Sequence, residues 1–319
     1  QIKLVTTIKE RCRVCYTCVR DCPAKAIRIS GGQAEVITER CIGCGHCISV
    51  CSQNAKQPYD SIPEVRKLLS GPDPVAAIVA PSFPASFPDV DERVFVGVLK
   101  QLGFSLVCET AFGADMTAAA YRSVLEGLKR PGRIGTTCPA VVSFIQKYHP
   151  SLTDRLLPIA SPMIAAARYL HRAHGKNLKI VFIGPCIAKK AEAATTETTR
   201  DVDAVLTFIE LNKMVAKADF SFNSPKVTPC DFDPPKPGLG MLFAVSRGIL
   251  QAAGTHEDLL DGNVVAADGR SHFIQAIKEF EAGALDTRLL EVLCCNGCIM
   301  GPGMSCETPF FRRRFAVSE

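Results

Sequence analysis

The sequence CRVCYTCVRDCP occupies residues 12–23, and a related sequence, CIGCGHCISVC, occupies residues 41–51. Each contains four cysteines, separated by two, two and three residues. Cysteines grouped so closely, in a chain that does not open on an apolar leader, indicate thiolates kept reduced as metal ligands rather than disulfides of a secreted protein. We therefore expect two metal clusters in the first part of the chain, and a cytoplasmic protein of the anaerobic type.

The repeated spacing is that of the two-cluster bacterial ferredoxins, in which three cysteines of each run bind one [4Fe-4S] cluster and the fourth binds the other. The predicted ligands are Cys12, Cys15, Cys18 and Cys51 for the first cluster, and Cys41, Cys44, Cys47 and Cys22 for the second. Between the two runs, alternating segments flank Gly31 and Gly32, which predicts a short hairpin. This part of the chain is expected to transfer electrons one at a time.

The remaining chain is much longer than a ferredoxin-like module requires. Its total length is 319 residues, of which 47% are hydrophobic and 22% charged, as is ordinary for a globular protein with a substantial core. We predict a small α+β ferredoxin-like domain at residues 1–57, a helix and linker at 58–73, and a larger domain at 74–319. No run of 18 apolar residues occurs, so no membrane attachment is expected.

Apolar runs alternate with amphipathic stretches throughout the larger domain. The predicted strands are 75–79, 105–107, 178–183, 204–208, 264–267 and 289–293, and the predicted helices are 92–102, 116–128, 163–171, 211–218 and 273–282. Such alternation predicts an α/β domain with mostly parallel sheets. Ligands of these sheets collect where the strands end at their carboxyl side.

Cysteines lie in three separated loops of this domain, of which the first precedes an apolar helix and the other two follow predicted strands. They are Cys138 in TTCPA, Cys186 in IGPC, and the group Cys294, Cys295 and Cys298 in EVLCCNGC. Four thiolates from three separated loops are the ligand set of one further [4Fe-4S] cluster.

These three loops, in this order and behind a double ferredoxin-like module, resemble the three sequence motifs of the [FeFe]-hydrogenases. The resemblance covers roughly residues 74–305 and implies a two-lobed catalytic domain. It also implies an H-cluster, which is a [4Fe-4S] cubane bridged by a cysteine to a diiron unit with CO, cyanide and azadithiolate ligands. Carried over residue by residue, it makes Cys138, Cys186 and Cys298 cubane ligands, with Cys298 also the bridge.

The fourth cubane ligand is open between two adjacent cysteines. If the family motif is aligned by counting forward from Glu291, the ligand is Cys295. If instead the family's usual gap of three residues before Cys298 is kept, the ligand is Cys294. We favour Cys295, because a deletion of one residue in the loop is easier than a shift of the preceding strand.

Other residues match the family around the diiron unit. Lys189 resembles the lysine that pairs with one cyanide, which is reasonable because a buried anionic ligand needs a charged donor. It is followed by Glu192 of the same motif. The segment Ala80-Pro81-Ser82 resembles the one that contacts the other cyanide, and residues 112–115 match a further stretch near the site.

Several residues depart from the family pattern. Thr137 stands where a cysteine usually relays protons to the azadithiolate, and a threonine hydroxyl is too weak an acid for an efficient relay. The usual glutamates after residue 117 are missing, and Gly184 and Leu293 replace methionines that line the diiron pocket. These losses resemble the sensory branch of the family. They imply slow turnover, H2 sensing and a possible signalling domain or protein downstream.

Partners follow from the charge and from the resemblance. The formal charge is +5, but each oxidised cubane with four thiolates carries about two negative charges, so three cubanes bring the total to about −1. Nucleic-acid binding is therefore not expected. The resemblance implies H2 and protons, a ferredoxin-like or other redox partner, and the maturation enzymes that supply the diiron unit.

Two other interpretations compete with this one. A non-catalytic relative of the hydrogenases that handles clusters in iron-sulfur assembly would keep the cubanes, but it has no use for cyanide partners such as Lys189. A plain electron carrier fused to an unrelated domain leaves the three loops unexplained. Cys108 and Cys230 are interpreted as small buried hydrophobic residues, and Cys306 as a possible substitute relay.

Overall fold

The computed structural model describes residues 2–127, 130, 132–195, 201–257, 260 and 262–318. Gln1, Leu128 and Glu319, at which predicted domains or helices begin or end, lie outside these residues. The strands are β1 (Val5–Thr7), β2 (Ile27–Ser30), β3 (Gln33–Val36), β4 (Lys56–Pro58), β5 (Val75–Val79), β6 (Leu106–Glu109), β7 (Arg133–Ile134), β8 (Lys179–Gly184), β9 (Ala204–Thr207), β10 (Val264–Asp268) and β11 (Leu289–Leu293). The helices are α1 (Thr17–Asp21), α2 (His46–Ser49), α3 (Ile62–Leu69), α4 (Phe83–Ser86), α5 (Glu92–Gln101), α6 (Thr110–Leu125), α7 (Pro139–Tyr148), α8 (Pro162–His174), α9 (Ala188–Ala193), α10 (Phe208–Val215), α11 (Gly248–Ala252), α12 (His272–Glu281) and α13 (Phe310–Ser318).

The N-terminal part is built from two equivalent cysteine loops and two antiparallel strand pairs, β1 with β4 and β2 with β3. The backbone turns into the left-handed region at matching points of the loops, at Val14 and Tyr16 in the first and at Gly43 and Gly45 in the second. Glycine adopts this conformation freely, whereas a β-branched valine is strained there. The turns direct backbone N–H groups inward, and Gly43 N–H donates to Cys41 Sγ at 3.4 Å. The predicted hairpin forms as β2 and β3.

Two parallel sheets form the rest of the molecule. The larger has the strand order β6-β5-β8-β9, and the smaller has the order β10-β11-β7. All their pairings are parallel, as predicted. All five residues of β5 are buried, which explains its continuous apolar sequence, VAAIV. Both sheets therefore direct the carboxyl ends of their strands towards loops that carry cysteines.

Two predicted helix starts are wrong. Helix α6 begins at Thr110 rather than Met116. The segment Phe112–Asp115 is helical because Gly113 lets α6 approach α8 closely; a Cβ on Gly113 would lie 2.2 Å from the Pro162 carbonyl oxygen. Helix α10 begins at Phe208 rather than Leu211, because Thr207 and Glu210 form a capping box.

A buried ion pair ties the linker to the larger sheet. Lys190 on α9 contacts Glu210 on α10 at 2.9 Å, and both side chains are almost fully buried. Lys190 Nζ also donates to Ser61 Oγ at 2.7 Å, and Ser61 N–H donates to Glu210 at 2.8 Å. The start of α3 is thereby fixed against the strand ends. No helix among the described residues is long and apolar enough to cross a membrane.

Candidate metal centre and its cavity

A cavity of about 100 Å³ lies where β5, β7, β8 and β11 end, between the two sheets. Its lining brings together the cysteines of all three loops with one cysteine of the N-terminal module. These are Cys138, Cys186, Cys294, Cys295, Cys298 and Cys44.

The local sequence explains why each thiol lies at this cavity. Cys138 is the residue before α7, whose first position is occupied by Pro139, as suits a helix start. Cys186 follows β8 after a single proline. Cys298 begins a short 3-10 helix after β11, and Gly301 beyond it packs so closely on the second loop that a Cβ would lie 2.7 Å from the Pro185 carbonyl oxygen. The second and third loops are thus held together.

The two adjacent cysteines of the third loop have different neighbours. The thiol of Cys294 is hydrogen-bonded to that of Cys44, which raises the pKa of Cys294 and lowers that of Cys44. Cys295 is enclosed, and burial followed by the charges of Cys138 and Cys186 raises its pKa. Cys294 therefore faces the N-terminal module, whereas Cys295 faces the thiols of the other two loops.

The cavity is a poor environment for thiolates in the absence of a metal. Burial raises the pKa of Cys186 to about 12 and that of Cys298 to about 11. Cys298 is an exposed residue, and it also lines the cavity. A bound metal reverses this preference, since a coordinating thiol loses its proton outright.

One cationic side chain, that of Lys189, lies at the cavity and is held by two hydrogen bonds. Lys189 on α9 is 8% exposed and lines the cavity. Its Nζ donates to Glu192 at 2.7 Å and to Ser161 at 2.9 Å. An ammonium has three N–H donors, so one is left for a ligand in the cavity. Glu192 is not among the lining residues and acts on the cavity through Lys189.

Two buried hydroxyls at the cavity have no hydrogen-bond partner among the described residues. They belong to Ser82 and Thr110, which are 0% and 3% exposed. Ser82 precedes α4, where a serine usually caps the helix, but its side chain makes no such bond. Ala80 and Pro81, also predicted, line the same wall. The sequence analysis missed Thr110, although its position directly after β6 was a usable signal.

The residue in the relay position has a carboxyl partner. Thr137 lines the cavity, and its hydroxyl donates to Glu291 Oε1 at 2.8 Å. Of the predicted stretch at residues 112–115, only Ala114 lines the cavity, while Asp115 accepts from the backbone of Gly238. Cys306 does not line it and donates to the Ala85 carbonyl oxygen at 3.0 Å.

The N-terminal cysteines separate into the two predicted groups of four. Cys22, Cys41, Cys44 and Cys47 line one small cavity. Burial is the largest cause of the raised pKa of Cys18, and the charges of Cys51, Cys12 and Cys15 raise it further. The positive charge of Lys56 acts in the opposite direction. Cys44 lines both its own cavity and the large one, so the second predicted cluster lies next to the main site.

Among the described residues, no three His, Cys, Asp or Glu side chains converge closely enough to hold a single metal ion. A cubane spreads its four thiolates over four iron atoms, so its ligands stand farther apart than those of one ion. Four of the six thiols at the large cavity, with its buried hydroxyls and Lys189, fit a cubane that carries a further group with hydrogen-bond acceptors.

The chain belongs to the iron-only hydrogenase family. Residues 73–302 match the C-terminal domain of the iron-only hydrogenase large subunit, and residues 4–52 match a 4Fe-4S dicluster domain.

Individual relatives include hydrogenases and an assembly factor. The NADP-reducing hydrogenase subunit HndD of Solidesulfovibrio fructosivorans is 31% identical in an alignment 249 residues long, which covers 67% of this chain and 42% of that protein. Iron hydrogenase 1 of Clostridium pasteurianum is 27% identical, over 96% of this chain and 66% of its own length. The cytosolic Fe-S cluster assembly factor NAR1 of Eremothecium gossypii is 25% identical, over 66% of this chain and 50% of its own. The chain thus spans less than two thirds of each of these proteins.

The fold also matches a solved structure. The [FeFe]-hydrogenase HydA1 from Chlamydomonas reinhardtii superposes with a TM-score of 0.66 at 19% identity, over 81% of this chain and 88% of that one. The predicted fold class is therefore confirmed: a hydrogenase-like α/β domain with parallel sheets follows a small ferredoxin-like domain.

Proposed function

We propose that this protein is a slow, H2-sensing [FeFe]-hydrogenase that cleaves H2 heterolytically and reversibly. One observation carries the proposal: the thiols of all three loops share a cavity with the hydroxyls of Ser82 and Thr110, which have no partner among the described residues. A cubane needs only thiolates. Buried donors without partners are costly unless a ligand satisfies them, as cyanide and CO ligands of a diiron unit would.

When bound, the diiron unit would supply the iron and the amine between which H2 is cleaved. Cys138, Cys186, Cys295 and Cys298 would hold the H-cluster, with Cys298 as the bridge. Lys189 would donate a charge-assisted hydrogen bond to one anionic ligand, and Ser82 and Thr110 would donate to others. Glu192 would keep Lys189 in place.

Apolar side chains complete the cavity and exclude water. They include Met163, Phe182, Phe243, Val245 and Leu293. In such a dry site the field of Lys189 on an anionic ligand is screened far less than in water. The protein thus orients and desolvates the cofactor, as is usual for enzymes whose chemistry belongs to the cofactor.

Electrons would pass through the N-terminal module. We propose residues 1–57 as the domain of two [4Fe-4S] clusters, 58–73 as helix and linker, and 74–319 as the H-cluster domain. The contact between Cys294 and Cys44 supports a route from the cubane to the second cluster. The partners we propose are H2 and protons, a ferredoxin-like redox partner, maturation enzymes and a downstream signalling domain or protein, in an anaerobic cytoplasm.

The sensory assignment depends on Thr137. Its hydroxyl replaces the acidic thiol that supports fast proton transfer, so we expect low flux. A sensor needs binding and a change of state rather than rapid turnover.

A second candidate function is iron-sulfur cluster assembly without H2 chemistry. The similarity to the assembly factor NAR1 of Eremothecium gossypii favours it. It predicts that the large cavity holds a cubane alone, which leaves Lys189, Ser82 and Thr110 without a ligand to bind.

The infrared spectrum of anaerobic protein, produced together with the maturation enzymes, separates the two functions. We expect sharp CO and cyanide bands that shift reversibly on exposure to H2. If the cubanes are full and these bands are missing, the hydrogenase proposal is wrong and the assembly function is favoured.

A further inference from the structure

A buried carboxyl stands next to the weak relay residue. Glu291 lies in β11, is 2% exposed and lines the large cavity. Its Oε1 accepts from the Thr137 hydroxyl at 2.8 Å, and its Oε2 accepts from the Tyr121 hydroxyl at 3.4 Å. No cation contacts it among the bonds of the described residues.

The surrounding sequence is adapted to this carboxyl. A Cβ on Gly135 would lie 2.0 Å from Glu291 Oε2, so only glycine leaves room for it. On the neighbouring strands, Ala266 of β10 stands opposite Glu291 and Ile134 of β7 stands opposite the preceding residue. Neither is titratable.

The other titratable groups around Glu291 are few. Tyr121 faces it from α6, and across the cavity the lining contributes Lys189 and the cysteine thiols. Burial raises the pKa of Glu291 to about 7, against the hydrogen bonds from Thr137 and Tyr121, which lower it. A carboxyl in this range gains and loses a proton near neutral pH, as an effective acid-base group must.

We propose that Glu291 is the proton acceptor of the site and that Thr137 is its relay. This inference rests on the proposed function and deepens it. Each H2 that is cleaved yields two protons and two electrons, and of the two protons one would go to Glu291 and the other would stay at the diiron unit. Thr137 Oγ1 receives one proton from the cavity while its own hydroxyl hydrogen passes to Glu291 Oε1. Thr137 remains neutral, Glu291 becomes a neutral acid, and the electrons leave through the iron-sulfur clusters.

Tyr121, which contacts the other carboxyl oxygen of Glu291, does not pass the proton on. Tyr121 is fully buried, and burial followed by the charge of Glu291 raises its pKa well above the ordinary value. The proton therefore stays on Glu291 until it returns through Thr137. Storage of this kind suits a protein that changes state on binding H2 and does not need rapid proton exchange with solvent.

The first test uses protein that carries its cubanes but was made without the maturation enzymes. Infrared difference spectra across neutral pH should show the carbonyl band of a protonated carboxyl that appears as the pH falls through about 7. Glu291→Gln should remove this band. The matched control is Glu109→Gln, because Glu109 is the other carboxyl of the described residues whose pKa burial raises to about 7. It should remove a different band and leave that of Glu291.

Tyr121→Phe separates a titrating role from a purely structural one. It deletes a hydrogen bond that favours the ionised form, so the midpoint of the Glu291 band should move to higher pH. The same bands in wild type and Glu291→Gln would overturn the assignment of Glu291 as a titrating group.

The second test uses matured protein whose CO and cyanide bands are intact. H2 should increase the Glu291 band in wild type and in Glu109→Gln, but not in Glu291→Gln or Thr137→Val. H2 oxidation should rise with pH through about 7, because the acceptor must be ionised, and this rise should be absent in Glu291→Gln. Turnover of Glu291→Gln should fall below that of wild type, because each cycle passes a proton to Glu291 and back through Thr137. Thr137→Cys, which restores an acidic relay, should raise turnover.

The two proposals fail in different ways. Absence of the CO and cyanide bands from every matured sample contradicts the hydrogenase function, whatever the titration of Glu291 shows. Intact bands, together with wild-type turnover and pH dependence in Glu291→Gln, contradict the present inference alone.

Discussion

At the scale of single residues, the large cavity is distinguished by two buried hydroxyls that make no hydrogen bond to the described residues. The Ser82 hydroxyl stands at the start of α4 without capping that helix. The hydroxyl of Thr110, at the start of α6, has no hydrogen-bond partner among the described residues. A buried hydroxyl without a partner costs about 1–3 kcal/mol. Such a cost persists at functional sites because a ligand offsets it.

Thr110→Val tests this cost directly. In protein that carries its cubanes without the diiron unit, the isosteric change should stabilise the fold by about 1 kcal/mol, because the unpaired hydroxyl disappears. The melting temperature should rise by about 2–4 °C. In matured protein the same change should shift the cyanide or CO infrared bands.

The control, Thr117, lies about two turns further along the same helix. The hydroxyl of Thr117 donates to the Gly113 carbonyl oxygen at 3.0 Å and to the Ala160 carbonyl oxygen at 3.2 Å, so Thr117→Val should lower the melting temperature. Equal effects of the two substitutions would show that Thr110 is not reserved for a ligand.

At the scale of secondary structure, α9 presents two successive lysines to different partners. Lys189 lines the cavity, whereas Lys190 is paired with Glu210 on α10. The ion pair holds α9, α10 and the start of α3 together, and thereby sets where Lys189 lies. A buried pair of this kind is costly to break on one side, because the remaining charge cannot be solvated.

Lys190→Met should lower the free energy of unfolding by about 3–5 kcal/mol, because it leaves the Glu210 carboxylate buried and unpaired. The double substitution Lys190→Met with Glu210→Gln removes both charges and should recover much of the loss. Urea unfolding of the three proteins measures this difference.

An exposed ion pair provides the comparison. Arg28 and Glu35 are in contact at 2.9 Å with side chains 61% and 42% exposed, so Arg28→Met should cost less than about 1 kcal/mol. If Lys190→Met were as mild as Arg28→Met, or if the double variant were no better than the single one, the anchoring role of the pair would be wrong.

At the scale of the whole molecule, two modules meet at a pair of sulfurs. Cys44 belongs to the predicted second cluster of the N-terminal module, and it contacts Cys294 beside the main cavity. The arrangement places the second predicted cluster, rather than the first, next to the proposed H-cluster.

Cys47→Ser tests this order of electron transfer. In matured protein it should reduce electron delivery from H2 to an external dye by about tenfold or more, because it removes a predicted ligand of the predicted second cluster, next to the main cavity. Exchange between H2 and deuterated water needs no external electron acceptor and should persist. Both rates are measured on the same anaerobic sample.

Cys230→Ala is the matched control for Cys47→Ser. Its side chain lines neither the large cavity nor the small cavity of the N-terminal module, so both rates should match wild type. Unchanged dye reduction in Cys47→Ser would show that electrons reach the site by another route.

The sequence by itself determined what local spacing and strand-helix alternation can determine. The cysteine runs predicted a ferredoxin-like module, and the three cysteine loops of the larger domain indicated the hydrogenase-like fold, which the structural match confirms. Helix starts were wrong where a capping box or a close helix contact, rather than periodicity, decided them. Ligand roles of individual cysteines remain predictions.

Only the tertiary structure decided which side chains meet. Thr137 and Glu291 are 154 positions apart, and no local pattern pairs them. No local pattern shows that Cys294 and Cys295 have different neighbours, or that Thr110 lies at the cavity wall. The physical reason is that spacing along the chain sets local backbone geometry, whereas contacts, burial and pKa shifts depend on the packing of two sheets whose strands are distant in sequence.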